Sequence, residues 1–244
     1  MTVVAVSPEG EGVVRVTLNR PEKANALNEA MVDALTDAIA QAEDGNTRLL
    51  ILDAAGKHFC AGFDLSDIAE RSDGDLVLRF IRIESLLQKL YSLPFPTLAL
   101  AKGRAMGAGA DVFCACSQRI AAPGTTFRMP GLAFGIVLGT RRLVSRVGVD
   151  TAREIQNETR AFDADEAKEI GFATRLAAED EWPMIVDGAS TAARTLQSDA
   201  TRALFNATAQ DTRTEDMADL VLSAAKPGLK DRIQCYIDAM QRAR

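Results

Sequence analysis

Two glycine-rich stretches, GKHFCAGFDL at 56–65 and KGRAMGAGAD at 102–111, each follow an apolar run and could do chemistry through their backbone. Glycine permits tight turns and close approach of a ligand, and a helix beginning near Gly107 leaves its first N–H groups unpaired. Two such N–H groups from separate stretches, aimed at one oxygen, make an oxyanion hole. Taken one stretch at a time, the same glycines fit a plainer reading: tight strand-to-helix turns and close helix packing. The second stretch ends in Asp111, which lies among Gly107, Ala108, Gly109, Ala110, Val112 and Phe113. A carboxyl in that apolar company is expected to have a raised pKa, suited to exchanging a proton with a substrate carbon. The alternative is an acid favoured by the positive start of a helix or paired with a buried arginine.

Other chemistries are poorly supplied. The 244 residues hold one histidine, His58, so a Ser-His-Asp triad or a multi-histidine metal site has that ring or nothing. A nucleophilic pair with Cys60 would need facing side chains, and His58 reads instead as closing its loop by a hydrogen bond or bordering a ligand site. Cys60, Cys114, Cys116 and Cys235 show no CxxC spacing, which suits a reduced, cytoplasmic protein. Helical residues two apart diverge by about 200°, which disfavours a zinc site built on Cys114 and Cys116. The GxxxxGK[ST] phosphate loop is absent, and GRAMGAG does not give GxGxxG. With 28 basic against 34 acidic side chains, a net charge of −6 disfavours nucleic acid or an anionic membrane as partner. MTVVAVSPEGEG lacks the basic start and long apolar run of a signal peptide. The uncharged stretches 90–101 and 129–140 are broken by proline or glycine and fall short of the roughly 20 residues that span a bilayer.

The elements that must position these loops follow from patterning. VVAV at 3–6 and VVRVTL at 13–18 flank PEGEG and predict a hairpin. Leu27, Met31, Leu35 and Ile39 recur at spacing four, with Asn28 as N-cap and Gly45 as terminator. LLIL at 49–52 predicts a strand covered on both faces. A long amphipathic helix at 76–92 ends before Pro94 and Pro96. Then come a strand at 98–101, a small-residue helix at 105–116 and a strand at 119–122, an alternation that argues for an α/β core. Thr151 with Glu154 and Asp163 with Glu166 have capping-box spacing, Gly171 reads as a C-cap, and 172–176 as a short strand. Beyond about 182 the pattern is helical, including 217–225 and a final helix at 228–242.

In this order, the loops resemble the crotonase superfamily, the enoyl-CoA hydratase and isomerase relatives. LNRPEKANALN at 18–28 is similar to the family's opening coenzyme A segment, HFCAGFDL at 58–65 to its first oxyanion loop and KGRAMGAGAD at 102–111 to its second. TTFRMPGLAFGIVLGTRRL at 125–143 resembles its next catalytic segment, and AFDADEAKEIGFATRL at 161–176 its "AxEAxxxGLV" stretch. The resemblance implies oxyanion donors at the backbone N–H of Phe63 and of Ala108. It implies coenzyme A contacts at Lys23, Ala24, Ala26, Ala61, Asp64 and Leu65. Lys23 also suits a solvated surface. One family glutamate falls on Asp111. The second falls on Gly131, in Met129-Pro130-Gly131, so that position is vacant, and the segment after it is shorter than the family's. Asp53, Asp67 and Glu84, and Asp64 by its own pattern, read as turn or surface acids.

The fold so implied is α/β, a crotonase-type (ClpP/crotonase) spiral of repeated ββα turns. Its core would occupy 1–181, with a helical trimerisation region at 182–244. The activity implied is acyl-CoA chemistry through a thioester enolate, of the enoyl-CoA hydratase/isomerase type, with a coenzyme A thioester as substrate and no permanently bound cofactor or metal. The assembly implied is a homotrimer or dimer of trimers. Hydration divides naturally between two carboxylates, whereas a single one suits a 1,3-proton shift, because it can remove and return the same proton. Decarboxylation, carbon-carbon hydrolysis and non-catalytic acyl-CoA binding are the other readings open to a chain with Gly131 at the second position.

Overall fold

The computed structural model describes residues 2–242. Strand β1 (Val4–Pro8) and β2 (Val13–Leu18) form the expected antiparallel hairpin. Helix α1 (Glu29–Asp44) starts at Asn28, whose side chain accepts from Met31 N, and ends at Gly45. After β3 (Leu49–Ala54), Ser72 caps the long α2 (Asp73–Tyr91), and β4 (Thr97–Ala101) follows. Next come β5 (Arg104–Met106), α3 (Ala108–Ala115), β6 (Gln118–Ala121), β7 (Thr126–Arg128), α4 (Thr140–Val147) and α5 (Val149–Glu158). Then β8 (Ala161–Asp163), α6 (Ala164–Glu169) and β9 (Arg175–Leu176) lead to helices α7 (Trp182–Thr195), α8 (Ser198–Thr208), α9 (Arg213–Ala224) and α10 (Leu229–Arg242). The outer limits of the two expected regions, Met1 and residues 243–244, lie outside the described residues. No helix among those described is long and apolar enough to cross a membrane.

One sheet has the order β1-β2-β3-β4-β6-β9, parallel apart from the opening hairpin; a smaller one has the order β5-β7-β8. The unbroken run of β3 is explained by burial on both faces. Leu50 and Leu52 join the core shared with α1 and α2, while Leu49 and Ile51 pack with Ile185 and Val186 of α7. A third apolar cluster joins Leu76 and Phe80 of α2 to Leu220 of α9 and Ile233 of α10.

The smaller sheet matters most for function, because isolated bridges extend it. Leu27 bridges Phe63, and Cys60 bridges Ala105, both in parallel. Across the molecule this gives a ladder: residues 24–27, residues 60–63, β5, β7, β8. The run 105–116, expected as one helix, therefore divides. Ala105 and Met106 pair with Phe127 and Arg128, Gly107 turns at φ 51°, and the helix begins only at Ala108. Tertiary pairing overrides the helix propensity of alanine and methionine there. Likewise Thr151 and Glu154 lie inside α5, which starts at Val149, so they form no capping box. Asp163 does cap α6, accepting from Glu166 N at 2.9 Å.

Candidate active site

The two glycine-rich stretches meet at their glycines. Cys60 O accepts from Met106 N at 2.9 Å, and Cys60 N donates to Arg104 O at 3.1 Å. A Cβ added at Gly62, whose φ is 82°, would overlap Met106 O and come within 3.2 Å of Ala108 N; one added at Gly109 would overlap Cys60 O. Leu27 bonds the residues on either side of Phe63, donating to Gly62 O at 2.7 Å and accepting from Asp64 N at 3.2 Å. In a parallel bridge this turns the Phe63 N–H to the opposite side. Ala108 is the first residue of α3, whose N–H has no partner within the helix. Among the described residues neither N–H has an acceptor, and both residues line one cavity of about 330 Å³. Ala108 keeps a negative φ, so alanine there carries no backbone strain. Gly62→Ala is expected to lose stability by about 2 kcal/mol or more, since the left-handed angle and the overlap act together. Its melting temperature checks this.

Phe63 is held from behind by α2. Its ring stacks on Phe80 with centroids 4.3 Å apart, and the Arg79 guanidinium carbon lies 4.4 Å from its centroid. Arg79 also donates to Asp64 O at 3.0 Å and to Asp67 at 2.8 Å. Asp64 is not the surface acid expected. It is buried, pairs with Arg20 at 2.5 Å and accepts from Ser66 N. Burial opposes its charge, but Arg20 and Ser66 hold its pKa below the ordinary value. Its side chain thus braces the loop and does not line the cavity. Ala61 and Leu65 do line it. Lys23 is exposed, Ala24 half-buried and Ala26 buried; Ala24 O accepts from Ala61 N at 2.9 Å, which ties this segment to the first loop. Ala24 and Asn25 both adopt left-handed angles, φ 47° and 55°. Asn25 secures that conformation by donating to Ala55 O and His58 O. The loop is therefore closed by the His58 carbonyl rather than its ring. Cys60 is fully buried, its thiol pushed up to about 12 by burial, and its Sγ lies 3.1 Å from Asn25 O, so it forms no dyad with His58.

Asp111 lies in the first turn of α3, 5% exposed, and its Oδ1 has no hydrogen-bond partner. Burial pushes its pKa up to about 8; Arg142 pulls the other way, and Glu84 adds to the rise. Gly139, at φ 66°, leaves the space Oδ1 occupies: a Cβ there would overlap it. Glu84 is not a surface acid either. It is fully buried on the inner face of α2 and bonds Arg142 at 2.5 and 3.0 Å, while Arg142 also reaches Asp216 of α9 at 3.1 Å. Of the other two acids, Asp53 pairs with Arg15 and Thr17, and Asp67 with Arg71 and Arg79.

Gly131 lines the cavity with no carboxylate, opening the 3-10 turn Gly131–Phe134. The remaining walls come from Phe80, Leu132, Phe134, Ile136 and Leu138, with Tyr236 and Met240 of α10. Three polar wall residues, Arg128, Gln156 and Tyr236, escape a reading of the sequence, as does the Glu84–Arg142–Asp216 cluster. The partners of Arg142 lie 58 and 74 residues away in sequence, beyond the reach of any local pattern.

The sequence matches the enoyl-CoA hydratase/isomerase family over residues 8–225. It is 35% identical over 171 residues to "Probable enoyl-CoA hydratase echA6" of Mycobacterium tuberculosis, covering 69% of this chain and 68% of that one. It is 39% identical over 166 residues to "Probable enoyl-CoA hydratase" of Rhodobacter capsulatus, covering 66% and 64%. Among solved structures, a proposed enoyl-CoA hydratase/isomerase of Bordetella parapertussis superposes with a TM-score of 0.95 at 45% identity, over 97% of this chain and 99% of that one. The match runs through both glycine-rich loops and the Asp111 helix, and the chain belongs to the enoyl-CoA hydratase/isomerase family of the crotonase superfamily.

Proposed function

We propose that this enzyme stabilises a thioester enolate between the N–H groups of Phe63 and Ala108 and moves its proton with Asp111 alone. The observation that carries the reading is the convergence on one cavity of two N–H groups without acceptors and a buried carboxyl without a partner. The substrate is a coenzyme A thioester. Its nucleotide side lies along Lys23, Ala24, Ala26 and Ala61, with Leu65 at the cavity wall and Asp64 bracing the loop. No resident cofactor is invoked.

For a 3-enoyl thioester, ionised Asp111 takes a proton from C2, and the electron pair moves onto the thioester oxygen, where the two N–H groups hold it. Protonated Asp111 then returns that proton to C4 while the double bond shifts to C2–C3. Atoms and charge balance without a second acid. Hydration is harder here, because water must be deprotonated on the side where Gly131 offers no carboxylate.

The test is turnover of chain-matched 3-enoyl-CoA and 2-enoyl-CoA. Isomerisation is expected to exceed hydration, and Gly131→Glu to raise hydration by roughly tenfold or more. Gly131 has an ordinary φ, and an added Cβ lies 3.0 Å from Ile136 O, so a small shift admits the side chain. Tight acyl-CoA binding without turnover of either ligand would instead mark a binding protein. No gain from Gly131→Glu would mean that the altered turn has moved the second position.

A further inference from the structure

We propose that Arg128 selects acyl groups that carry a second carboxylate at the far end of the chain; this rests on the acyl-CoA reading above. Arg128 ends β7, and its carbonyl accepts from Gly107 N at 2.7 Å, immediately before the Ala108 donor. In the ladder of strands, residues 24–27 lie on one side of the two glycine-rich stretches and β7 on the other. A thioester oxygen held at Phe63 and Ala108, with its coenzyme A toward Lys23, sends its acyl chain toward Arg128.

The side chain there is out of keeping with its surroundings. Phe80, Leu132, Phe134 and Met240 make the cavity largely apolar, yet a half-buried guanidinium lines it. Its Nε donates to Thr159 O at 2.7 Å, at the C-terminus of α5, which fixes the stem and suits a cation at a helix end. Both Nη atoms lack hydrogen-bond and ion-pair partners among the described residues. Arg142, by contrast, is neutralised by two carboxylates. A charge left uncompensated in an apolar cavity costs free energy, and two Nη donors present the planar fork that takes a carboxylate bidentately. Gln156 and Tyr236 line the same cavity and would supply further polar contacts. Burial raises the Tyr236 pKa and the Arg128 charge lowers it, in keeping with their proximity.

The experiment is calorimetric binding of hexanoyl-CoA and adipoyl-CoA, saturated ligands of equal length with no double bond to turn over. The wild type is expected to bind adipoyl-CoA roughly tenfold more tightly, and Arg128→Gln to abolish that preference with hexanoyl-CoA affinity within about twofold. Arg128→Lys, which keeps the charge, should keep part of the preference. Equal affinities in the wild type overturn the proposal whatever the variants do, as does an equal loss of both ligands in Arg128→Gln, which would mark a strut for α5. If neither ligand binds more tightly than coenzyme A itself, the acyl-CoA reading falls first and this one with it.

Discussion

Replacing Asp111 with asparagine is expected to lower kcat on the preferred enoyl thioester by roughly 10²- to 10⁴-fold, the usual worth of one positioned acid/base group. Binding of a saturated acyl-CoA should change little, because the proposed oxyanion donors are backbone groups the substitution leaves in place. The wild-type pH profile carries the sharper prediction. Burial holds the Asp111 carboxyl protonated up to about pH 8, and only the ionised form can take a proton from carbon. Activity is expected to rise as pH increases through about 8 and then level off, and any residual activity of Asp111→Asn should lack that limb. A wild-type profile flat between pH 6.5 and 9 would remove Asp111 as the base.

The same burial ties activity to a stability cost. The folded protein keeps the Asp111 proton to about pH 8, whereas the unfolded chain releases it near the ordinary value of 3.8. Between those values the unfolded state binds fewer protons, so this group's contribution is fully present below about pH 4 and is lost as pH rises through about 8. Asparagine has no proton to lose. The melting temperature of Asp111→Asn should therefore gain on that of the wild type with rising pH, leaving the slower variant the more stable at pH 8. Such an exchange is expected where a catalytic group is kept in an environment that disfavours its charge.

What the sequence disclosed, and what it hid, divide along the range of the forces involved. Asn28, Gly45 and Asp163 act within one helical turn, and each ends or begins its helix as the spacing predicts. LLIL of β3 is legible because burial on both faces leaves an unbroken apolar run. The helix expected at 105–116 fails because Ala105 is claimed by Cys60 and Phe127, partners that local propensity cannot register. The site divides in the same way. Glycine positions mark the two loops because the close approach is made by backbone, whereas Glu84 looks like a surface acid until Arg142, 58 residues on, is folded against it. Nor does Gly139 differ in sequence from any other turn glycine; it is Asp111 Oδ1 that requires its missing side chain.

Arg142→Met tests how far that hidden cluster sets the proton affinity of Asp111. Removing one partner of a buried ion pair leaves the other charge uncompensated, at about 3–5 kcal/mol. For a chain of this length that corresponds to a fall in melting temperature of about 10 °C. The burden falls mainly on Glu84, which keeps only Gln88 Nε2 at 2.8 Å, while Asp216 retains Arg141 and Thr212. The activity limb should move above pH 8, because Arg142 is the charge that holds the Asp111 pKa down. Adding Glu84→Gln removes both the stranded charge and the neighbour that pushes Asp111 up. The double variant is therefore expected to recover stability over Arg142→Met and to return the limb toward its wild-type position. A single variant that melts within a degree or two of the wild type would show that the cluster contributes little. A limb that stays put in both variants would show that burial alone, through the packing of Gly139 and α3 around the carboxyl, sets its proton affinity.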